Sequence, residues 1–239
     1  MVKNVAPRAA LSAAGLAFAL TGAGAAAAPK DGDAFTDKFT VADADWTSTG
    51  RNPWFVLEPG YRLVLEGGGE SLTITVLDET RVVDGVETRV VEERETRGGE
   101  VAEISRNFFA MSRRTGSVYY FGEEVDIYRG GQVSGHEGAW LSGKNGARYG
   151  LIMPGEPLIG ARYYQEIAPG EAMDRAEIMS LGDTLETPAG KFTGCLRTRE
   201  SSGIEPGREE KVYAPGIGII KDGSLRLVRH GPSRPTTAP

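Results

Sequence analysis

Alternation of apolar and polar residues constrains the fold of this chain more than any other feature. Apolar residues occupy every second position at Leu63 and Leu65, and again at Leu72, Ile74 and Val76. Because successive side chains of a β-strand point to opposite faces, a period of two indicates strands with one buried face. No run with helical periodicity exceeds about ten residues. The sequence therefore predicts a chain built mainly of β-strands.

Glycine-containing turns separate these runs. Asp84 and Gly85 lie between two apolar runs, which is a hairpin signal because both residues tolerate a positive φ. Similar turns occur at residues 67–69, 98–99, 115–116, 130–131 and 222–223. Residues 172–181 can be read as helix or strand. We predict an all-β fold, an antiparallel meander that forms a curved sheet or an incomplete barrel, with room for one short helix.

The chain divides into four segments. We predict a secretory signal peptide at residues 1–28, an extended N-terminal arm at 29–51, a single β-rich domain at 52–228 and a disordered tail at 229–239. Lys3 and Arg8 precede an apolar run and a stretch of small residues, which is the three-part arrangement of a secretory leader. The apolar run is shorter than the ~20 residues that span a bilayer. We therefore expect a secreted or periplasmic protein without a membrane span.

The charge of the chain disfavours two classes of partner. The chain has 27 basic and 33 acidic residues and a net charge of −6. Loss of the signal peptide removes Lys3 and Arg8 and no acidic residue, so the mature charge is −8. Nucleic acids and anionic membranes are bound by basic surfaces. We expect no nucleic-acid partner, and the oligomeric state stays open.

The sequence lacks the residues of several common metal-binding, catalytic and nucleotide-binding sites. His136 and His230 are the two histidines, which excludes multi-histidine metal sites within one chain. The nucleophile-elbow pattern, the phosphate loop and the dinucleotide fingerprint are all missing. Cys195 has small and apolar neighbours, so we expect a buried, unreactive thiol. We predict no metal and no cofactor, and leave open whether the protein is an enzyme.

One catalytic hypothesis remains from the carboxylates. Glu166 with Asp174 or Glu177 would supply the two carboxyl groups that a hydrolase such as a glycosidase uses, or that a lyase would use. His136, next to Glu137, is a candidate for acid–base chemistry, because histidine titrates near neutral pH. Its alternative is an exposed turn.

Aromatic doublets point to binding. The pairs Phe108–Phe109, Tyr119–Tyr120 and Tyr163–Tyr164 place one ring on each face of a strand. The second face is either covered by another layer or forms a concave groove. Candidate groove residues are Tyr119, Tyr120, Trp140, Arg162, Tyr163, Tyr164 and Glu166. The leading hypothesis is a non-catalytic binding or envelope-associated domain for a small or apolar ligand or partner. The carboxylate-pair enzyme and a purely structural protein are the alternatives.

A series of motifs carries a resemblance. The motifs are Asn52-Pro53-Trp54-Phe55, Pro188-Ala189-Gly190 with Phe192, and Tyr213-Ala214-Pro215-Gly216-Ile217-Gly218. With these motifs in this order, the chain resembles a family of secreted bacterial β-rich proteins of uncharacterised activity. The second and third motifs are also similar to those of half-barrel lipoprotein-like folds. The resemblance spans roughly residues 52 to 221 and implies a fold and export, but no reaction. The leader has no cysteine for a lipid anchor.

Overall fold

The computed structural model describes residues 34–232, which contain eighteen β-strands and one 3-10 helix, Asp43–Asp45. The strands are β1 (Trp46–Thr47), β2 (Gly50–Asn52), β3 (Phe55–Leu57), β4 (Tyr61–Gly67), β5 (Glu70–Val83), β6 (Val86–Arg97), β7 (Glu100–Ser112), β8 (Val118–Arg129), β9 (Gln132–Gly135), β10 (Trp140–Leu141), β11 (Arg148–Met153), β12 (Arg162–Tyr164), β13 (Glu166–Ile167), β14 (Asp174–Thr187), β15 (Gly190–Ser202), β16 (Glu209–Ala214), β17 (Gly218–Asp222) and β18 (Leu225–Pro232). The predicted signal peptide lies outside the described residues.

One large antiparallel sheet contains most of these strands. Its order is β12-β14-β15-β16-β17-β18-β4-β5-β6-β7-β8-β11-β13. Strand β1 also pairs with β7, strands β9 and β10 pair with β8, and β2 pairs with β3 in a separate hairpin. The all-β, antiparallel prediction is confirmed.

A short segment, residues 162–167, connects the two ends of the sheet. Its first half, β12, pairs with β14, and its second half, β13, pairs with β11. Only Gln165 separates the two halves, and its backbone N–H donates to the carbonyl of Asp174 at 2.7 Å. The curved sheet is therefore nearly closed, as the incomplete-barrel prediction requires. We call this segment the seam.

Apolar side chains fill one level of the interior. Strand alternation directs Leu63, Ile74 and Val76 inward, and Phe55 from β3 packs against them. The cavity between these residues has a volume of about 30 Å³, which holds no more than one or two water molecules. The protein's own side chains therefore fill this apolar part of the interior and leave no room for a ligand.

A second apolar cluster lies on the outer face of β7 and β8. Trp46, from the predicted arm, contacts Tyr119, Phe121 and Tyr149 in edge-to-face geometry, with ring centroids 5.3–5.6 Å apart. Phe39 packs against the same cluster. The arm thus covers part of the sheet from outside.

Local expectations have mixed outcomes. The hairpin at Asp84 and Gly85 is confirmed, with φ values of 52° and 78°. Residues 172–181 lie largely in strand β14, so no helix forms there. Strand β18 pairs with β4 as far as Pro232, four residues beyond the predicted domain boundary at 228. Within residues 34–232, no helix is long and apolar enough to cross a membrane.

Candidate functional site

The structure divides the predicted aromatic groove between two faces. Tyr119 lies on the outer face, against Trp46 and Tyr149. Tyr120 points inward, is fully buried and stacks on Phe109 with ring centroids 4.7 Å apart. Adjacent strand residues must face opposite ways, so these rings line no common groove.

Three predicted groove residues do meet in the interior. Trp140 Nε1 donates to Glu166 Oε2 at 3.1 Å, and the ring of Trp140 lies 5.4 Å from that of Tyr120. All three are buried. Burial, and then the charges of Glu166 and the other glutamates nearby, raise the pKa of Glu123 well above its usual value. This part of the interior is a packed polar layer that disfavours the charged form of the Glu123 carboxyl group.

A second buried polar cluster surrounds Lys211. Its Nζ lies 3.0 Å from Glu200 Oε2 and 3.8 Å from Asp222 Oδ2. Gln165 and Thr198 donate hydrogen bonds to the other oxygen of Glu200. The single ammonium group of Lys211 thus lies near two carboxylates. Its positive charge offsets the negative charge of Glu200, the nearer one, more than that of Asp222. Burial raises the pKa of Asp222 to about 7, although Lys211 opposes the shift.

The three candidate catalytic carboxylates have different surroundings. Strand β14 directs Asp174 inward, where burial and then Glu200 raise its pKa to about 6. Glu177, three residues later, points outward and pairs with Arg162 at 3.0 Å. Glu166 accepts its hydrogen bond from Trp140 in the interior. The structure therefore places Glu177 on the opposite face of the sheet from the other two.

The histidine candidate lies in an exposed turn after β9. His136 Nδ1 is 2.7 Å from the carbonyl oxygen of Val125 and 3.0 Å from Asp126 Oδ1. Its side chain is 68% exposed. These contacts place His136 in an exposed turn, which was the alternative to a role in acid–base chemistry.

A groove of about 580 Å³ lies on the outer face beside the seam. Its walls come from β12, β14, β15 and the β15–β16 connection, and we call it the seam groove. Its lining includes Phe35, Arg162, Arg175, Glu177, Arg199, Glu205 and Arg208. Tyr164 lies next to it, with its ring centroid 6.1 Å from that of Phe35. The predicted candidates Arg162, Tyr164 and Glu177 are therefore brought together here.

The arginines of the seam groove differ in their partners. Glu177 pairs with Arg162 at 3.0 Å and with Arg199 at 3.6 Å. Arg175 lies 4.7 Å from the ring of Phe35 and donates to the carbonyl of Ser202, while its buried Nε has no hydrogen-bond partner. Within the described residues, neither Arg175 nor Arg208 forms an ion pair. The guanidinium groups of Arg175 and Arg208 are thus available to bind an anion.

The buried lysine cluster and two arginines of the seam groove, Arg199 and Arg208, were not predicted from the sequence. A usable signal was present, because the period of two that places Tyr213 inside also places Lys211 inside. The pairing of Arg175 with Ser201, and of Glu177 with Arg199, depends on strand register. Three register shifts interrupt this hairpin, so its register near Arg175 cannot be read from the turn and the local pattern.

Known proteins offer no guide to this site. Comparison with protein-family models, curated proteins and solved structures found no match. Within residues 34–232, no group of three or more His, Cys, Asp or Glu side chains is arranged to hold a metal ion. The resemblance to secreted bacterial β-rich proteins accordingly stays a prediction.

Proposed function

We propose that this protein is an exported, non-catalytic binding domain that takes a small anionic ligand in the seam groove. The observation that carries the proposal is the convergence of four arginines and two glutamates on one groove of about 580 Å³. The whole chain has a net charge of −6, so this local excess of positive charge runs against its composition. The groove also has the volume usual for small-molecule sites.

Chemistry of the arginines favours a carboxylate, phosphate or sulfate group. A guanidinium group presents several N–H donors in one plane, which match two oxygens of such an anion. Arg175 is held in place by Phe35 and by the carbonyl of Ser202, so little side-chain entropy is lost when it binds.

Another surface groove of similar volume is less suited to a ligand. It lies beside the arm, and Ser48 and Glu87 in its lining already bond to each other at 2.8 Å. Asp84, also in its lining, accepts a hydrogen bond from Ser142 at 2.8 Å. These polar groups are satisfied within the protein, so a ligand would gain little from them.

Calorimetric titration with sodium sulfate, sodium phosphate and succinate tests the proposal. We expect at least one of these anions to bind the folded protein. Arg175→Ala should weaken that binding roughly tenfold or more, because a charge-assisted hydrogen bond contributes about 1.5–3 kcal/mol. Arg208→Ala should weaken it less, since Arg208 is exposed.

Arg129→Ala is the matched control. Arg129 is an exposed arginine at the β8–β9 turn, outside the lining of the seam groove. Its replacement changes the net charge by the same amount as Arg175→Ala does, and should leave the affinity for the anion unchanged. If Arg175→Ala and Arg129→Ala weaken binding to the same degree, the affinity for the anion depends only on the net charge of the protein. The groove is then not the binding site.

A further inference from the structure

The seam groove and the buried lysine cluster share one strand. Alternate residues of β14 face opposite ways, so Arg175 lines the groove while Asp174 enters the interior. Asp174 lies at the first position of the strand, opposite Ser202 on β15. A half-buried carboxyl group, with its Oδ1 atom fully buried, thus lies directly behind the arginine that we assign to the anion.

Ser202 connects the two sides. Its carbonyl oxygen accepts a hydrogen bond from Arg175 at 2.8 Å, and its side chain lies close enough to the carboxyl group of Asp174 to oppose the rise in the pKa of that group. The backbone N–H of Gly203, the next residue, donates to the carbonyl of Met173 at 2.7 Å. The start of β14 and the groove wall after β15 are therefore held together by two hydrogen bonds.

We propose that Asp174 makes the seam groove a pH-dependent anion site, which binds more tightly when this carboxyl group is protonated. The inference rests on the proposed function of the groove. Its physical basis is Coulombic, because loss of a negative charge behind Arg175 raises the positive potential that the anion meets. The low-dielectric protein between them screens this effect less than water would.

Asp174 has the surroundings that such a role needs. It faces Glu200 on β15, Lys211 on β16 and Glu205 on the β15–β16 connection, and Oδ1 is buried without a hydrogen-bond partner. Burial, followed by the charge of Glu200, raises its pKa to about 6, and Lys211 limits the shift. Protonation therefore falls within the range from pH 8 to pH 5.

The test is sulfate affinity of the full chain at several pH values. Sulfate keeps its charge between pH 5 and pH 8, so any change in affinity comes from the protein. We expect the affinity of the wild type to rise about three- to tenfold from pH 8 to pH 5, with a midpoint near pH 6. Asp174→Asn should bind tightly and equally at both pH values.

Asp222→Asn is the control, because Asp222 titrates in the same cluster but lies on β17, outside the groove lining. It should retain the pH dependence of the wild type. Equal affinity of the wild type at pH 5 and pH 8 would overturn the role of Asp174 and leave the groove intact. Absence of sulfate binding at every pH would overturn both proposals. If Asp174→Asn fails to fold, a rise in affinity with a midpoint near pH 6 that persists in Asp222→Asn supports the proposal, and a flat wild-type profile overturns it.

Discussion

Two buried tyrosines show how the same residue type contributes differently at different positions. The hydroxyl of Tyr120 donates to Asn107 Oδ1 inside the barrel. The hydroxyl of Tyr163 is also buried, but has no hydrogen-bond partner in the described part of the chain. A buried polar group without a partner costs about 1–3 kcal/mol, whereas a satisfied one contributes modestly to stability. Identical substitutions should therefore have opposite effects.

Tyr163→Phe should leave the free energy of unfolding unchanged or raise it by about 1 kcal/mol, since it removes an unsatisfied hydroxyl. Tyr120→Phe should lower it by about 1–2 kcal/mol, because Asn107 Oδ1 then loses its donor. Urea unfolding followed by fluorescence measures both. A clear loss of stability in Tyr163→Phe would contradict the absence of a hydrogen-bond partner for this hydroxyl.

At the level of elements, the seam decides whether the sheet closes. Strand β11 can approach β13 closely because Gly150 has no side chain. A Cβ at Gly150 would lie 2.2 Å from the carbonyl oxygen of Gln165 and 2.4 Å from its carbonyl carbon. Both are backbone atoms, which cannot move aside as a flexible side chain can. The close approach at Gly150 is therefore a requirement of closure.

Gly150→Ala should lower the free energy of unfolding by about 2–3 kcal/mol, the cost of overpacking at a rigid contact. It should also increase amide hydrogen exchange at residues 162–167. Gly68→Ala is the control, since its Cβ would meet nothing within 4 Å and only the positive φ of 63° adds a cost of about 1–2 kcal/mol. Equal losses in the two variants would show that the close approach is unimportant.

For the whole molecule, buried ionisable groups couple stability to pH. Burial raises the pKa of Asp222 to about 7, from an ordinary value near 4. Burial alone would lower the pKa of Lys211, but Asp222 and Glu200 outweigh it and raise the pKa. The charged form of Lys211 is therefore favoured, while Asp222 exchanges its proton near neutrality.

The sign of the pH effect follows from the raised pKa of Asp222. Between about pH 4 and pH 7 the folded state holds a proton that the unfolded state has lost, so stability falls as pH rises. We expect the free energy of unfolding to be about 2 kcal/mol larger at pH 5 than at pH 8. Asp174 acts in the same direction.

Asp222→Asn isolates this effect, because an amide does not titrate. Chemical unfolding at pH 5, 6, 7 and 8 should give a shallower fall for the variant, which keeps the contribution of Asp174, than for the wild type. A wild-type stability that rises over this range would contradict the raised pKa of Asp222.

Local pattern predicted part of this molecule well. The alternation at Leu72, Ile74 and Val76 and the turn at Asp84 and Gly85 act through neighbouring residues, so strands and hairpins were predictable. For the candidate site, Arg162 and Glu177 were among the named residues, but as members of different hypotheses. Their contact arises because β12 pairs with β14, a long-range event that no local pattern encodes.

The sequence by itself determined the secondary structure, the alternation of buried and exposed faces and the antiparallel class, because these depend on side-chain period and turn conformation within a few residues. Tertiary structure alone decided that residues 162–167 join both ends of the sheet, and that Lys211 lies between Glu200 and Asp222. It also decided that Arg175 faces a groove while Asp174 lies behind it. These features depend on strand register and on closure of the sheet, which no short stretch of sequence specifies.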